Sequence, residues 1–192
     1  EELIALSEQK KRHLFAFHNR RWDGDFMTLK KVVESDTLGK LASYEAHFDR
    51  YRPELSEKVW KETPGPNVSI VHDLGTHIID QVVCLFGKPV SVFGQMRMER
   101  SGSKVIDAFD IVLSYQSFNA TVKASCLVKE PGPRYVVHGQ AGSFVKYGID
   151  PQEDDMVAGF HPLDPNWGAE DPENWGILNG TINGLDFRGE VQ

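Results

Sequence analysis

Three ionisable side chains lie close together in the longest helical pattern of the sequence. Asp73, His77 and Asp80 are separated by four and three residues, which places them on one face of a helix. An imidazole can accept a proton near neutral pH, so it could take the hydroxyl proton of an alcohol while hydride leaves the carbinol carbon. A carboxylate one turn away could fix the imidazole tautomer or hold a neighbouring substrate hydroxyl. The spacing is therefore compatible with alcohol oxidation.

Two other interpretations fit the same spacing. Polar residues opposite an apolar stripe are a general feature of amphipathic surface helices, and the stripe here comprises Val71, Leu74, Ile78, Val82 and Leu85. A His and an Asp four residues apart could also share a metal ion, but no third or fourth ligand is evident, so we expect no metal site. Spacing alone leaves a structural and a catalytic role open.

A second polar segment spans residues 18–25, between a predicted buried strand (residues 12–18) and a predicted helix. In parallel-sheet proteins, ligands usually gather at this end of a strand. Two arginines and a tryptophan could hold a polar substrate or a phosphate there by charge and stacking. The alternative is an ordinary domain junction, in which the arginines pair with local carboxylates and the tryptophan fills a seam.

The elements around these segments predict an α+β fold. Helical patterns cover residues 1–11, 23–35 and 68–86. Predicted strands cover residues 41–51, 90–98, 105–115, 118–128, 135–138 and 143–147, and the short turns after residue 90 indicate an antiparallel meander. We expect a two-layer domain with a large, mostly antiparallel sheet covered by helices on one face. The other face must be solvated or paired with a second subunit. The acidic stretch after Asp150 shows little periodicity.

The composition excludes several classes of protein. The chain has 192 residues, of which 40% are hydrophobic, so it can bury a substantial core. A net charge of −7 without a basic stripe argues against nucleic acid as a partner. Cys84 and Cys126 are expected to be buried free thiols in a reducing compartment. No run approaches the roughly 20 apolar residues of a membrane span, and no signal-peptide pattern is present, so we expect a cytoplasmic protein.

Most of these segments form one recognisable pattern. It comprises NRRWDGDF (residues 19–26), HDLGTHIIDQ (72–81), LFGKP (85–89), PRY (133–135), VHG (137–139) and SFVKYGIDPQED (143–154). In this order, and over nearly the whole chain, the pattern resembles the Gfo/Idh/MocA oxidoreductase family. Within that family it is most similar to the scyllo-inositol dehydrogenase-like branch.

The resemblance implies a two-domain enzyme, in which an N-terminal Rossmann domain binds NAD or NADP and a C-terminal domain forms the substrate wall. Asp73 and His77 match the family's D-x-x-x-H motif, which faces the nicotinamide. His77 would accept the proton of a substrate hydroxyl, and Asp73 would be a substrate ligand or relay. The remaining expected substrate-binding residues are Asn19, Arg20, Trp22 and His72. The family's lysine from a Glu-Lys-Pro motif and its Gly-rich dinucleotide fingerprint are not present in this sequence.

The resemblance also implies a domain organisation. Residues 1–22 would be the end of the dinucleotide-binding domain and the junction, and residues 23–192 the substrate-binding and dimerisation domain. We expect a truncated C-terminus that lacks a final helix, and a fragment that is inactive alone. The family usually dimerises through the open sheet face, which predicts a homodimer or homotetramer.

Two departures from the family pattern affect the predicted pocket. Residues 64–71 (PGPNVSIV) replace the usual Gly-rich approach to the aspartate, and His72 stands where an aromatic residue is common. The sequence therefore predicts an NAD(P)-dependent dehydrogenase acting on a secondary hydroxyl of a sugar or cyclitol, without specifying which one. The alternative is a non-catalytic dimerisation or binding module that keeps the fold. The presence of both Asp73 and His77 favours the enzyme.

Overall fold

The centre of the structure, a computed structural model that describes residues 1–192, is one eight-stranded sheet. Its strands run in the order β2-β3-β4-β1-β5-β6-β7-β8. Only β1 and β4 are parallel neighbours, and all other neighbouring strands are antiparallel. The strands are β1 (Leu41–His47), β2 (Ser91–Arg97), β3 (Ala108–Ser114), β4 (Asn119–Ser125), β5 (Tyr135–Gly139), β6 (Gly142–Lys146), β7 (Gly176–Ile182) and β8 (Leu185–Val191).

Five helices accompany the sheet, and none of them has the length and apolar character that a membrane span requires. They are α1 (Glu2–Lys10), α2 (Gly24–Glu34), α3 (Val59–Glu62), α4 (Thr76–Phe86) and α5 (Gln152–Val157). A π-helical turn, Val71–Gly75, leads directly into α4, and 3-10 turns form at Asn19–Trp22 and Pro172–Asn174. The predicted α+β fold with a large, mostly antiparallel sheet is confirmed.

The core lies between the sheet and the two helices α2 and α4. Strands β3 and β4 alternate buried and half-buried residues, as expected for strands with one covered face. The buried side chains that close this layer include Leu29, Val32, Ile78, Val82, Ile111 and Val122. The apolar stripe of α4 is therefore used for packing, which leaves its other face available for polar residues.

A buried glutamine connects three elements of this core. Gln81 on α4 is fully buried, donates from Nε2 to the carbonyl oxygen of Arg20 at 2.8 Å, and accepts from the Tyr135 hydroxyl at 2.9 Å. Because an unpaired buried amide costs about 1–3 kcal/mol, these bonds fix α4 against the Asn19–Trp22 turn and β5.

Two expectations about burial are wrong. Residues 12–18 form no strand, and Phe15 and Phe17 are 82% and 79% exposed. A buried strand needs a hydrogen-bonded neighbour, and the eight-stranded sheet does not provide one for this segment. Cys84 and Cys126 are free thiols, but Cys84 is exposed and Cys126 is half-buried, because Cys84 lies outside the part of α4 that packs on the sheet.

Other elements differ from the predicted ones in extent. β1 ends at His47, and the helical pattern that was predicted from residue 68 begins as a π-helical turn at Val71. The meander is interrupted, because β1, the first strand in the chain, lies between β4 and β5. The acidic stretch after Asp150 contains α5 and the β7–β8 hairpin, which periodicity did not predict.

The close contact between Gly139 at the end of β5 and the backbone of Leu38 allows a prediction about stability. A Cβ on Gly139 would collide with the carbonyl oxygen of Leu38 and lie 2.9 Å from its carbonyl carbon, whereas a Cβ on Gly132 would meet nothing within 4 Å. We expect Gly139→Ala to lower the free energy of unfolding by about 2 kcal/mol, which corresponds to a melting temperature lower by about 4–8 °C. Gly132→Ala is the matched control and should change it by less than about 0.5 kcal/mol. Equal melting curves for the two variants would contradict the packing described.

Candidate active site

His77 lies in the first turn of α4, immediately after the π-helical turn that carries Asp73. Both residues line a cavity of about 640 Å³ between α4, the Asn19–Trp22 turn and α5. The structure thus brings the two predicted catalytic residues to the wall of one cavity, although no hydrogen bond joins them. The π-helical turn itself is of interest because single π-helical turns frequently occur at functional sites.

Neither ring nitrogen of His77 has a hydrogen-bond partner within the chain, and the two differ in accessibility. Its Nδ1 is buried and has no hydrogen-bond partner. Its Nε2 makes no hydrogen bond within the chain and is not among the buried unpaired atoms, so it keeps contact with the cavity. Nε2 is thus the atom that a ligand in the cavity could reach.

The surroundings of His77 favour a neutral ring. Burial lowers the pKa of His77, and the positive charges of Arg20 and His18 lower it further, against the opposing effect of Asp73 and Asp80. A lowered pKa keeps the imidazole unprotonated, and therefore able to accept a proton, at neutral pH.

The third member of the predicted trio has a different role. Asp80 accepts two hydrogen bonds from Arg21, from Nε and from Nη2, both at 2.7 Å, and lies 3.7 Å from Nε2 of His18. It does not line the His77 cavity. This bidentate pair joins α4 to the Asn19–Trp22 turn.

Asp73 lies among cations. Its Oδ2 is 3.4 Å from Nζ of Lys61 and 3.9 Å from Nη1 of Arg50. Asp73 also lines a second cavity of about 590 Å³, which shares Arg50, Arg52, Lys61 and Asp73 with the His77 cavity. These four residues form the wall between the two spaces.

Three of the four predicted substrate-binding residues line the His77 cavity. Asn19 is exposed, Trp22 is 62% exposed, and Arg20 is buried. The guanidinium of Arg20 pairs with Asp23 at 3.4 Å and with Glu153, and lies over the ring of Phe48. Much of its hydrogen-bonding capacity is therefore used within the protein.

His72 lies elsewhere. It lines only the second cavity, and its Nδ1 is 2.8 Å from Oγ of Ser69. The structure therefore does not bring His72 together with His77.

A further part of the cavity comes from the acidic stretch after Asp150, for which the sequence analysis predicted no site residue. The residues from this stretch that line the cavity are Asp150, Gln152, Glu153, Met156 and Trp167. Gln152 donates to the carbonyl oxygen of Trp22 at 3.2 Å and accepts from the Trp167 indole at 3.3 Å. The available signal was the SFVKYGIDPQED motif, which continues from β6 into α5.

A second titratable group lies in the cavity wall. Asp23 is buried near Asp25 and Asp150, and burial together with these carboxylates raises the pKa of Asp23 to about 7 against the opposing charge of Arg20. The cavity thus contains a carboxyl group whose pKa is raised and an imidazole whose pKa is lowered.

Neither a dinucleotide fingerprint nor a cluster of metal ligands is found in the chain. Its sequence contains no G-x-G-x-x-G fingerprint for the phosphates of NAD or NADP. No group of three or more His, Cys, Asp or Glu is arranged to hold a metal ion. The polar groups that remain accessible include Nε2 of His77 and the exposed carboxylate of Asp73, which line the same open cavity.

Comparisons with known proteins agree with this geometry. Residues 26–145 match the family model for the GFO/IDH/MocA C-terminal domain. The chain is 40% identical over 191 residues to scyllo-inositol 2-dehydrogenase (NADP(+)) IolW of Bacillus subtilis, covering 100% of this chain and 53% of that protein. It is 42% identical over 169 residues to the uncharacterized oxidoreductase YdgJ of Escherichia coli, covering 88% of this chain and 49% of YdgJ.

Solved structures show the same likeness. A crystal structure of an oxidoreductase from Bacillus cereus superposes with a TM-score of 0.90 at 33% identity, covering 100% of this chain and 64% of that one. YvaA from Bacillus subtilis gives a TM-score of 0.89 at 36% identity, covering 99% and 54%. The chain thus spans about half the length of the curated relatives it matches. It belongs to the GFO/IDH/MocA oxidoreductase family, whose C-terminal domain it contains.

Proposed function

We propose that the protein to which this chain belongs is an NAD(P)-dependent dehydrogenase that oxidises a secondary hydroxyl of a sugar or cyclitol. This chain would provide the substrate wall and the proton acceptor. The observation that carries the proposal is the half-buried His77, whose free Nε2 and lowered pKa suit a base in a cavity that also contains Asp73. The IolW relative, named as an NADP(+)-dependent scyllo-inositol dehydrogenase, supports this class of substrate and cofactor.

In this mechanism, NAD or NADP, when bound, supplies the acceptor for the hydride that leaves the carbinol carbon. A residue of this chain accepts the hydroxyl proton. The substrate hydroxyl donates its hydrogen bond, and then its proton, to Nε2 of His77, which is neutral because its pKa is lowered. Asp73, which lies 3.4 Å from Nζ of Lys61 and 3.9 Å from Nη1 of Arg50, accepts a hydrogen bond from the reacting or a neighbouring hydroxyl.

The pocket residues shape the rest of the site. Asn19 and Trp22 lie at its edge, where they would contact the outer hydroxyls and one face of the ring. Arg20 acts mainly through its position, because it links the pocket wall to Asp23 and Glu153. His72 would contact only a substrate that extends into the second cavity.

The domain organisation belongs to the same proposal. Residues 1–22 would form the end and junction of a dinucleotide-binding domain, and residues 23–192 the substrate-binding and dimerisation domain. Phe15 and Phe17 are exposed apolar side chains in the first segment, which supports the proposal that another domain covers this segment. Because the chain has no dinucleotide fingerprint, we propose that it is inactive alone.

The sheet face opposite the helices would form the interface of a homodimer or homotetramer. Val136 on β5 pairs with Glu45 on β1 and with Val145 on β6, and all three are only half-buried. We propose that this mixed apolar and charged face contacts a second subunit rather than water.

Replacement of His77 tests the proposed base. We expect His77→Ala in the complete protein to lower kcat by about 10²–10⁴-fold, the usual contribution of a general base, with cofactor binding unchanged within about twofold. The measurement is reduced-nicotinamide absorbance with NAD or NADP and a panel of inositols and aldoses. His161→Ala, at an exposed loop position outside the cavity, is the control and should retain full activity. Unchanged turnover in His77→Ala would instead favour a non-catalytic role for this wall.

The pH dependence gives a second test. Because the unprotonated imidazole is the active form and its pKa is lowered from 6.5, kcat/KM should rise with pH through an inflection below 6.5 and then level off. Removal of the nearby positive charge in His18→Asn should move this inflection to higher pH. An inflection above 6.5 that does not move in His18→Asn would rule out the electrostatic environment described.

A further inference from the structure

We propose that Arg50, Arg52 and Lys61, here called the cationic wall, bind an anionic substituent of the substrate. This inference rests on the proposed function and narrows it. The substrate would be a sugar or cyclitol that carries a carboxylate or a phosphate, rather than a neutral polyol. The hydroxyl to be oxidised would lie at His77, and the anionic group would contact the wall between the two cavities.

The cationic wall is held by the backbone. The chain leaves β1 and continues beside β4, where the amide nitrogen of Arg50 donates to the carbonyl oxygen of Ser125 at 2.9 Å and that of Arg52 donates to Cys126 at 2.7 Å. Lys61 comes from α3 and lies over the Trp60 ring. The wall therefore faces the cavities from two separately anchored elements.

The other arginines around the cavities have carboxylates of their own. Arg20 pairs with Asp23 and Glu153. Arg100 pairs with Glu62 at 3.0 Å and with Asp107 at 2.9 Å. The charges of Arg20 in the His77 cavity and of Arg100 in the second cavity are therefore compensated within the protein.

The cationic wall lacks this compensation. Its three cations share one carboxylate, Asp73, which lies 3.4 Å from Lys61 and 3.9 Å from Arg50, while Arg52 makes no ion pair. Glu54 in the second cavity and Asp150 in the His77 cavity make no ion pair either, so the excess of positive charge is local to the residues that the two cavities share. Burial lowers the pKa of Arg50, and the charge of Arg52 lowers it further, against the opposing charges of Asp73 and Glu153.

An anionic ligand would supply the missing negative charge. A guanidinium presents parallel N–H donors that match the oxygens of a carboxylate or phosphate, and an ammonium adds a point charge. A hydroxyl of a neutral polyol could accept hydrogen bonds from the wall but would leave its charge uncompensated. Because both cavities share the wall and Asp73, one ligand can contact His77 and the cations together.

Equilibrium binding tests the inference independently of turnover. We would titrate the complete protein with glucose, glucuronate and glucose 6-phosphate by calorimetry, in the presence of NADPH, which cannot accept hydride. We expect one of the two anionic sugars to bind at least about tenfold more tightly than glucose, which also identifies the preferred anion. Arg52→Gln should weaken that binding by about 10–100-fold and change glucose binding by less than about twofold. Arg52→Lys, which keeps the charge but loses the planar fork, should give an intermediate loss.

Arg188→Gln is the matched control, since Arg188 is an exposed arginine on β8 outside both cavities, and it should bind all three sugars normally. The proposed anion site would be overturned if the protein bound the three sugars with equal affinity and Arg52→Gln did not change these affinities. This result would not affect the proposed role of His77, which the turnover of His77→Ala tests separately. Weaker NADPH binding in Arg52→Gln with unchanged sugar binding would assign the wall to the cofactor phosphates and would also overturn the inference.

Discussion

The buried amide of Gln81 is the constraint on which the site depends. It joins α4 to the backbone of Arg20 and to the hydroxyl of Tyr135 on β5, and both of its bonds lie in the core. His77 is four residues earlier on the same helix, so the bonds that fix Gln81 also fix His77 relative to the Asn19–Trp22 turn. Loss of this amide would leave two buried polar groups without partners, at a cost of about 1–3 kcal/mol each.

Buried charges reinforce the same junction. Arg134 is fully buried, lies 3.5 Å from Asp25, donates to the carbonyl oxygen of His47 at 2.5 Å, and stacks over Phe48. Such a pair is costly to desolvate, and removal of one partner is strongly destabilising because it leaves an uncompensated charge. Both members of this pair are therefore needed together, and they also act on the cavity wall, where Asp25 raises and Arg134 lowers the pKa of Asp23.

The sequence predicted well those features that depend on local pattern. The alternation along β3 and β4 and the apolar stripe of α4 follow directly from periods of two and 3.6 residues. The polar segment around Arg20 was correctly predicted to lie just before a helix, and α2 begins there at Gly24. Features that depend on distant partners were not predictable in this way. The apolar run at residues 12–18 is not in a strand, because a sequence run does not specify whether a neighbouring strand is available.

Pairing between distant residues explains the other differences. Asp80 has the spacing of a site residue, but Arg21, 59 positions earlier, engages its carboxylate. Helix α5 and Trp167 reach the cavity from a stretch without periodicity. The excess positive charge of Arg50, Arg52 and Lys61 depends on the structure as well, because sequence spacing does not show that Arg20 and Arg100 are paired with carboxylates while Arg52 is not. Sequence spacing thus indicated which helix face carries ionisable groups, and the structure shows which of these groups have partners within the chain.

The most direct test of the central claim is the position of a bound substrate. A crystal structure of the complete protein with a substrate and a non-reacting nicotinamide would give the distance between the reacting hydroxyl oxygen and Nε2 of His77. The account predicts about 2.6–3.2 Å, with Asp73 hydrogen-bonded to the same or a neighbouring hydroxyl. A substrate whose reacting hydroxyl lies away from His77 would contradict the assignment of this wall as the site of proton transfer.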